Sequence, residues 1–302
     1  MNQTPKTILA FDLDGTLVPR NQFEIHPSGL SNLLENLNHL GHVSIPVTGK
    51  PAKYASNIFP INKLSNNGII AENAGVYTLP HATKVEILGS SIAEMKKLRD
   101  IVGVGMDNVN VTNITIDNKD YEVVIDPDDY SIFTVFTDPS FVTHRWNYKH
   151  DIEAKFLVEK LRQIVKLNNL ENNLEVLEPF PDGGVQVIRK DNKTGKTIDK
   201  SYILEAIKMI YPNNEKLPVS MFGDGHNDIP AMSPEKVIPI TFNNAHKDVI
   251  EYVKSRNGFI SRYDAPEDVG VVDGLIYLHK INFFGADSST VLDLISKYFP
   301  SL

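Results

Sequence analysis

Residues 7–18 read TILAFDLDGTLV: an apolar run breaks off into two aspartates, Asp12 and Asp14, with Gly15 behind them. Thr7–Phe11 is short, apolar and bounded by turn residues, the pattern of a buried strand. About two hundred residues later the arrangement returns. In PVSMFGDGHNDIPAM (Pro218–Met232) a second apolar run ends in Asp224 and Asp228, set among Gly223, Gly225 and Asn227. Each stretch alone is compatible with an ordinary Asp-Gly turn. Together they pose the question of whether the fold brings four carboxylates to one place.

The pattern around the first stretch answers for the fold class. Pro27–Leu40 carries Leu30, Leu33, Leu34 and Leu37 at helical spacing and stops at Gly41. Val43–Val47 reads as a strand; Pro46 cannot donate to a ladder, so an edge position or an irregularity is expected. Gly68–Glu72 reads as a third strand. Strands alternating with helices imply a parallel sheet with crossover helices. The rhythm then changes. A helix is expected over Ile92–Val102 and another over Ile152–Leu167, with Phe156, Leu157, Leu161 and Val165 on one face. YEVVI (121–125) and SIFTVF (131–136) read as paired strands around the turn DPDD, and NLEVLE (173–178) and GVQVIR (184–189) as two more. After Asp199 the alternation resumes: helix to Ile210, strand Pro218–Phe222, a short helix after Asn227, strand Val237–Phe242, a helix from His246 and a closing helix over Val291–Phe299. The expected division is an α/β core over 1–82 and 190–302, interrupted by an α+β unit over 83–189.

A chain of 302 residues suffices for a large core. Its net charge of −8, with no Lys/Arg-rich block, argues against nucleic acid or an anionic membrane as partner. It has no cysteine, which excludes disulfides, thiolate metal sites and cysteine nucleophiles. No stretch approaches the length of apolar sequence that spans a bilayer. The first 30 residues lack the pattern of a signal peptide, so a cytoplasmic protein is expected and the sequons at Asn110, Asn113 and Asn192 read as chance matches.

Ligands of an open parallel sheet bind outside the carboxyl ends of its strands. Asp12 and Asp224 each stand at such an end. If the two strands are neighbours, the carboxylates converge, and their repulsion calls for a hard dication bound by oxygen ligands, the chemistry of Mg²⁺. A calcium loop is excluded, because the glycine such loops need at the sixth position is Leu17 or Ile229 here. Thr48, in PVTGK, ends the second strand with a hydroxyl and a following Gly49; that turn offers a phosphate oxygen a hydroxyl and backbone amides, or it is a routine strand-to-helix turn. Lys200 falls in the first turn of a helix capped by Asp199. A cation there opposes the helix dipole by about 0.3–1 kcal/mol, which a site needing a fixed positive charge would explain. TGKT (194–197) is no phosphate-binding loop, because Lys190 holds the required upstream glycine position. THRWNYKH (143–150) mixes basic and aromatic residues without a wider basic field and reads as surface structure.

FDLDGTL, VTGK, the helix-start Lys200 and GDGHND, in that order, resemble the four motifs of the haloacid dehalogenase superfamily of phosphohydrolases. The insertion between the second and third motifs resembles the α/β cap of the Cof-type and sucrose-phosphatase-like branch. AENAGVY, NNAHKDV and PEDVGVVDGL are further likenesses. Asn73-Ala74-Gly75 and Lys50 stand where the family more often has Asn-Gly and arginine. The resemblance implies a Rossmann-like parallel-sheet core with an inserted cap. It further implies that Asp12 is a nucleophile that forms an aspartyl-phosphate, and that Asp14 protonates the leaving alcohol and then activates water. Thr48 and Lys200 would hold the phosphoryl oxygens, with Gly49 and Lys50 on the substrate side. Mg²⁺ would sit on the Asp12 carboxylate, the Asp14 carbonyl and Asp224, with Asp228 orienting. The cap would close over the site, Asp182 and Gly183 in PFPDGGVQV being candidates for substrate contact; a plain hairpin turn is the other reading of that loop. His226 reads as a variable position.

The resulting expectation is a Mg²⁺-dependent phosphatase of a small phosphorylated metabolite, a sugar phosphate first among them, acting as a monomer or small homo-oligomer. A sugar phosphomutase is the second enzyme reading, disfavoured by the short GDGHND. A non-catalytic binding or regulatory protein on this fold is the third, disfavoured by the presence of Asp12, Asp14 and Asp224.

Overall fold

The computed structural model describes residues 4–19, 22–58, 67–89, 92–102, 111–116, 119–125, 131–136, 151–178, 184–212 and 216–302. They divide into two units, Met1–Glu86 with Asp199–Leu302, and Ile87–Ile198.

The first unit begins with β1 (Thr7–Phe11), in which every residue is buried. Helix α1 (Leu30–His39) buries Leu30, Leu33, Leu34 and Leu37, the four leucines of the apolar stripe, and is closed by Gly41 at φ 93°, a conformation that glycine adopts without steric cost. Strand β2 (His42–Pro46), helix α2 (Ala52–Ile58) and strands β3 (Ile69–Ala71), β4 (Val76–Thr78) and β5 (Val85–Ile87) follow. Strand β2 is indeed an edge, and Pro46 is its last residue, where a missing amide costs no central ladder bond. The third expected strand is placed differently. Beyond one parallel bridge, Val47 to Ile70, β3 pairs antiparallel with β4 in a separate sheet of order β3-β4-β5. Its tight turn through Glu72, Asn73 and Ala74, at φ 50°, 54° and 68°, folds the chain straight back.

The second unit contains α3 (Ala93–Ile101), β6 (Val111–Ile116), β7 (Lys119–Ile125), β8 (Phe133–Phe136), α4 (Asp151–Leu167), β9 (Leu174–Val176) and β10 (Gly184–Arg189). Its strands form one antiparallel sheet of order β6-β7-β8-β10-β9. Strand β6 has no counterpart in the sequence reading. Helix α4 buries Ala154, Leu157, Val158, Leu161 and Val165 against Phe133, Val135, Val185 and Val187; Phe156 lies at the margin of that stripe, only half-buried. Residues 190–198 belong to this unit too. Lys190 bridges Thr197, and the Asp191 carboxylate accepts from the amides of Lys193 and Thr194, both at 2.8 Å. TGKT is therefore a capped surface turn. The amide of Thr194 first among them, these donors hold the Asp191 carboxyl below the usual carboxylate range. DPDD and residues 143–150 lie outside the described residues.

The chain then returns to the first unit through α5 (Ile203–Ile210), β11 (Val219–Phe222), α6 (Ile229–Met232), β12 (Val237–Thr241), α7 (Lys247–Ser255), β13 (Phe259–Ile260), α8 (Gly270–Lys280) and α9 (Ser288–Tyr298). Its main sheet is wholly parallel, in the order β13-β12-β11-β1-β2. Strand β1 lies between β11 and β2, with Phe11 level with both Phe222 and Pro46. The rings of Phe11 and Phe222 stack 4.7 Å apart, both fully buried. Strand β13 and helix α8 were not legible in the sequence. In α8, Gly270 and Gly274 weaken the helical signal. Gly274 is there for space, since a Cβ on it would stand 2.6 Å from the Phe222 ring. No helix among the described residues is long and apolar enough to cross a membrane.

Candidate active site

Because β1 and β11 are adjacent and parallel with Phe11 opposite Phe222, the residues that follow each strand emerge side by side at the carboxyl edge. The Asp12 amide donates to the Phe222 carbonyl at 2.9 Å. One carboxylate oxygen from each of Asp12, Asp224 and Asp228 lies within 4.8 Å of the others. The two acidic turns meet.

Glycines make the meeting possible. Gly15 sits at φ 89° and turns the chain, its amide donating to the Val18 carbonyl at 2.9 Å. A Cβ there would also stand 2.4 Å from Asp224 Oδ2. The Asp224 carboxylate thus occupies the space the missing side chain leaves, where Thr16 Oγ1 donates to its Oδ1 at 2.9 Å. Gly223 serves Asp228 likewise: a Cβ would lie 2.5 Å from the Asp228 Cγ.

Lys200 stands at the opening of a 3-10 turn, Lys200–Tyr202, capped as expected by Asp199, whose Oδ1 accepts from the Ser201 amide at 2.8 Å. Its ammonium is fully buried and donates to Asp12 Oδ1 at 2.7 Å and to Asp228 Oδ1 at 2.6 Å. The other Asp228 oxygen accepts from the Gly225 amide at 2.9 Å. The dipole cost of about 0.3–1 kcal/mol is small against two charge-assisted bonds of roughly 1.5–3 kcal/mol each. Burial alone would lower the Lys200 ionisation range; the charges of Asp12 and then Asp228 outweigh it and hold the ammonium well above normal. Asp12 is pushed the other way from an ordinary carboxyl. Burial first, then the neighbouring Asp228 charge, raise it well above the usual range, and Lys200 offsets this only in part. Asp12 and Asp228 share one ammonium, and the half-buried Asp224 adds a third carboxylate beside them, so acidic groups outnumber the cation that serves them. The donors are all hard oxygens, and a divalent cation such as Mg²⁺ fits them in charge and chemistry.

Thr48 is buried, two residues beyond β2. The preceding Val47 amide donates to the Phe11 carbonyl at 2.7 Å, which sets Thr48 at the same sheet edge as Asp12. Its own amide and carbonyl are taken by Ile70 and by the Asn73 amide, and its hydroxyl accepts from the Lys50 amide at 3.1 Å. A Cβ on Gly49 would approach the Asn73 side-chain oxygen to 2.9 Å and the Asn227 amide nitrogen to 3.7 Å. The turn after β2, the left-handed run 72–74 and the GDGHND loop therefore share one neighbourhood. Lys50 is exposed, its ammonium 5.5 Å from the Tyr54 ring. Tyr54, which sequence reasoning passed over, donates its hydroxyl to Asp14 Oδ1 at 2.7 Å. Thr16 was missed as well, although it stands inside the quoted DGT. Asp182 and Gly183 lie outside the described residues. His226 is exposed on the GDGHND loop; its ring packs on His246 at 3.6 Å between centroids, with their Nε2 atoms 3.0 Å apart.

Residues 9–257 match the family model for haloacid dehalogenase-like hydrolases. Solved structures agree in fold. A haloacid dehalogenase-like hydrolase from Bacteroides thetaiotaomicron aligns with a TM-score of 0.57 at 15% identity, covering 90% of this chain and 99% of that one. TM0651 from Thermotoga maritima aligns at 0.56 and 19% identity, covering 88% and 94%. BT1666 of B. thetaiotaomicron, described among phosphatases of this superfamily, aligns at 0.54 and 15% identity, covering 91% and 96%. None of the curated proteins matches the chain significantly.

Proposed function

From the premise that the chain belongs to the haloacid dehalogenase-like hydrolase family, we propose that it is a Mg²⁺-dependent phosphomonoesterase of a small phosphorylated metabolite, with sugar phosphates the first class to test. The observation that carries the reading is the convergence of Asp12, Asp224 and Asp228 at the carboxyl edge of the parallel sheet, with the buried Lys200 bonded to Asp12 and Asp228. Such a site has a nucleophile, a fixed cation and a set of hard oxygen donors, and phosphoryl transfer asks for little more than positioning and charge neutralisation.

Asp12 would attack phosphorus through the carboxylate oxygen that Lys200 does not hold, since Oδ1 is taken by the ammonium. As the oxygen–phosphorus bond forms, the bond from phosphorus to the ester oxygen breaks, and Asp14 passes its proton to the departing alcohol. Asp14, now ionised, takes a proton from water as that water attacks the aspartyl-phosphate, which releases phosphate and restores Asp12. Lys200 and the Thr48 turn would steady the phosphoryl oxygens throughout. Asp12, the Asp14 carbonyl and Asp224 would hold Mg²⁺, with Asp228 behind them; when bound, the ion neutralises the charge that gathers on phosphate and nucleophile.

The test is a phosphate-release screen over phosphorylated metabolites with and without Mg²⁺, in parallel with Asp12→Asn. Metal-dependent release by the parent chain and none by the variant is the expected result. Release of equal size from both would overturn the assignment.

A further inference from the structure

Asp14 is asked to deliver a proton in one step and accept one in the next, so the orientation of its carboxyl decides whether either transfer works. The residue that sets it lies on α2. Tyr54 Oη donates to Asp14 Oδ1 at 2.7 Å. The Tyr54 ring is held in turn, with the Phe23 ring 5.8 Å away at a 58° tilt and the Lys50 ammonium 5.5 Å from its centroid. A tyrosine hydroxyl ordinarily ionises only at about pH 10, so at neutral pH it is a donor.

We propose that Tyr54 is the positioning residue for Asp14: by donating to Oδ1 it makes that oxygen the carbonyl-like one and places the transferable proton on Oδ2. A carboxylic acid accepts better through its carbonyl oxygen than through its hydroxyl, so a donor fixed on Oδ1 selects this form and also locks the rotation of the group. In the first step the proton leaves Oδ2 for the ester oxygen as that oxygen parts from phosphorus. In the second, Oδ2 takes the proton of the attacking water, with Tyr54 still bonded to Oδ1.

This inference rests on the phosphatase reading, and its test separates the two. The full chain and Tyr54→Phe, which keeps the ring, are compared by kcat/KM on an alkyl phosphate and on p-nitrophenyl phosphate. An alkoxide needs a proton to leave and a nitrophenolate barely does. We expect a loss of about tenfold or more on the alkyl ester and less than about threefold on the aryl ester, as the loss of an oriented general acid requires. In the Asp14→Asn background, where no proton is carried, Tyr54→Phe should cost nothing further. Equal losses on both esters, no loss on either, or full additivity with Asp14→Asn would overturn the role of Tyr54 while leaving the phosphatase reading in place. A parent chain inactive on every ester would overturn that reading, and this inference with it.

Discussion

Gly15 and Asp224, 209 positions apart, compete for one volume: the Cβ that any other residue would place at 15 falls 2.4 Å from the Asp224 carboxylate. The glycine of the first acidic turn is thus a condition for the second to enter the site.

Gly15→Ala follows from that pair. The substitution forces a side chain into a left-handed conformation, at a cost of about 1–2 kcal/mol, and displaces Asp224 besides. We expect a lower melting temperature together with Mg²⁺ affinity weakened at least about tenfold, which titration calorimetry would measure. Unchanged metal affinity would show that Asp224 has other room.

Asp12→Asn should remove turnover and yet raise the melting temperature of the metal-free protein. Asp12 is a carboxyl with a raised ionisation range in the fold, so folding favours its protonated form. Its contribution to stability is present below the unfolded carboxyl range and is lost as pH rises through the folded one. At neutral pH the ionised group is a burden, and a neutral isostere relieves it. Melting curves of both proteins in EDTA decide the matter: the gap should narrow on acidification, and a destabilised variant at neutral pH would contradict the electrostatic account.

Lys200→Met deletes the cation bonded to both Asp12 and Asp228 and leaves the two carboxylates buried without it. Losing one partner from a buried ion pair costs about 3–5 kcal/mol. Denaturant unfolding should report a loss of that size at neutral pH. A loss under about 1 kcal/mol would mean that water already screens the pair.

Ala74→Gly should stabilise the fold. Ala74 lies at φ 68°, in a run of three left-handed residues that includes no glycine. Relief of the left-handed alanine is worth about 0.5–1 kcal/mol after the added freedom of the unfolded chain. A rise of about 1–2 °C in melting temperature is expected for a chain of this size.

Much of the core could be read in advance, because its signals are local. The leucine stripe of α1, the apolar runs of β1 and β11 and the Asp199 cap each declare themselves within a dozen residues. Where local signals are weak or ambiguous, the reading stopped short. Gly68–Glu72 has the composition of a sheet strand, but the left-handed turn behind it turns β3 into the start of an antiparallel meander. Helix α8 hides behind two glycines whose purpose, close approach to the Asp264 carbonyl and to the Phe222 ring, exists only once the chain has folded.

The sequence by itself determined that two apolar runs end in acidic turns, that glycines flank the acids, and that a lysine opens a capped turn far along the chain. Tertiary structure alone decided that these belong together. Convergence of Asp12, Asp224 and Asp228 requires β1 and β11 to pair across the whole inserted unit, and the burial of Lys200 requires both carboxylates to be waiting. The bond from Tyr54 to Asp14 carries no sequence signature, because a tyrosine 40 positions away acquires a partner only once β1 and β2 pair and bring the segments that follow them together. Short-range patterns record how a segment buries its own surface; which charges meet is set by the closure of long loops, a cost met by the core as a whole.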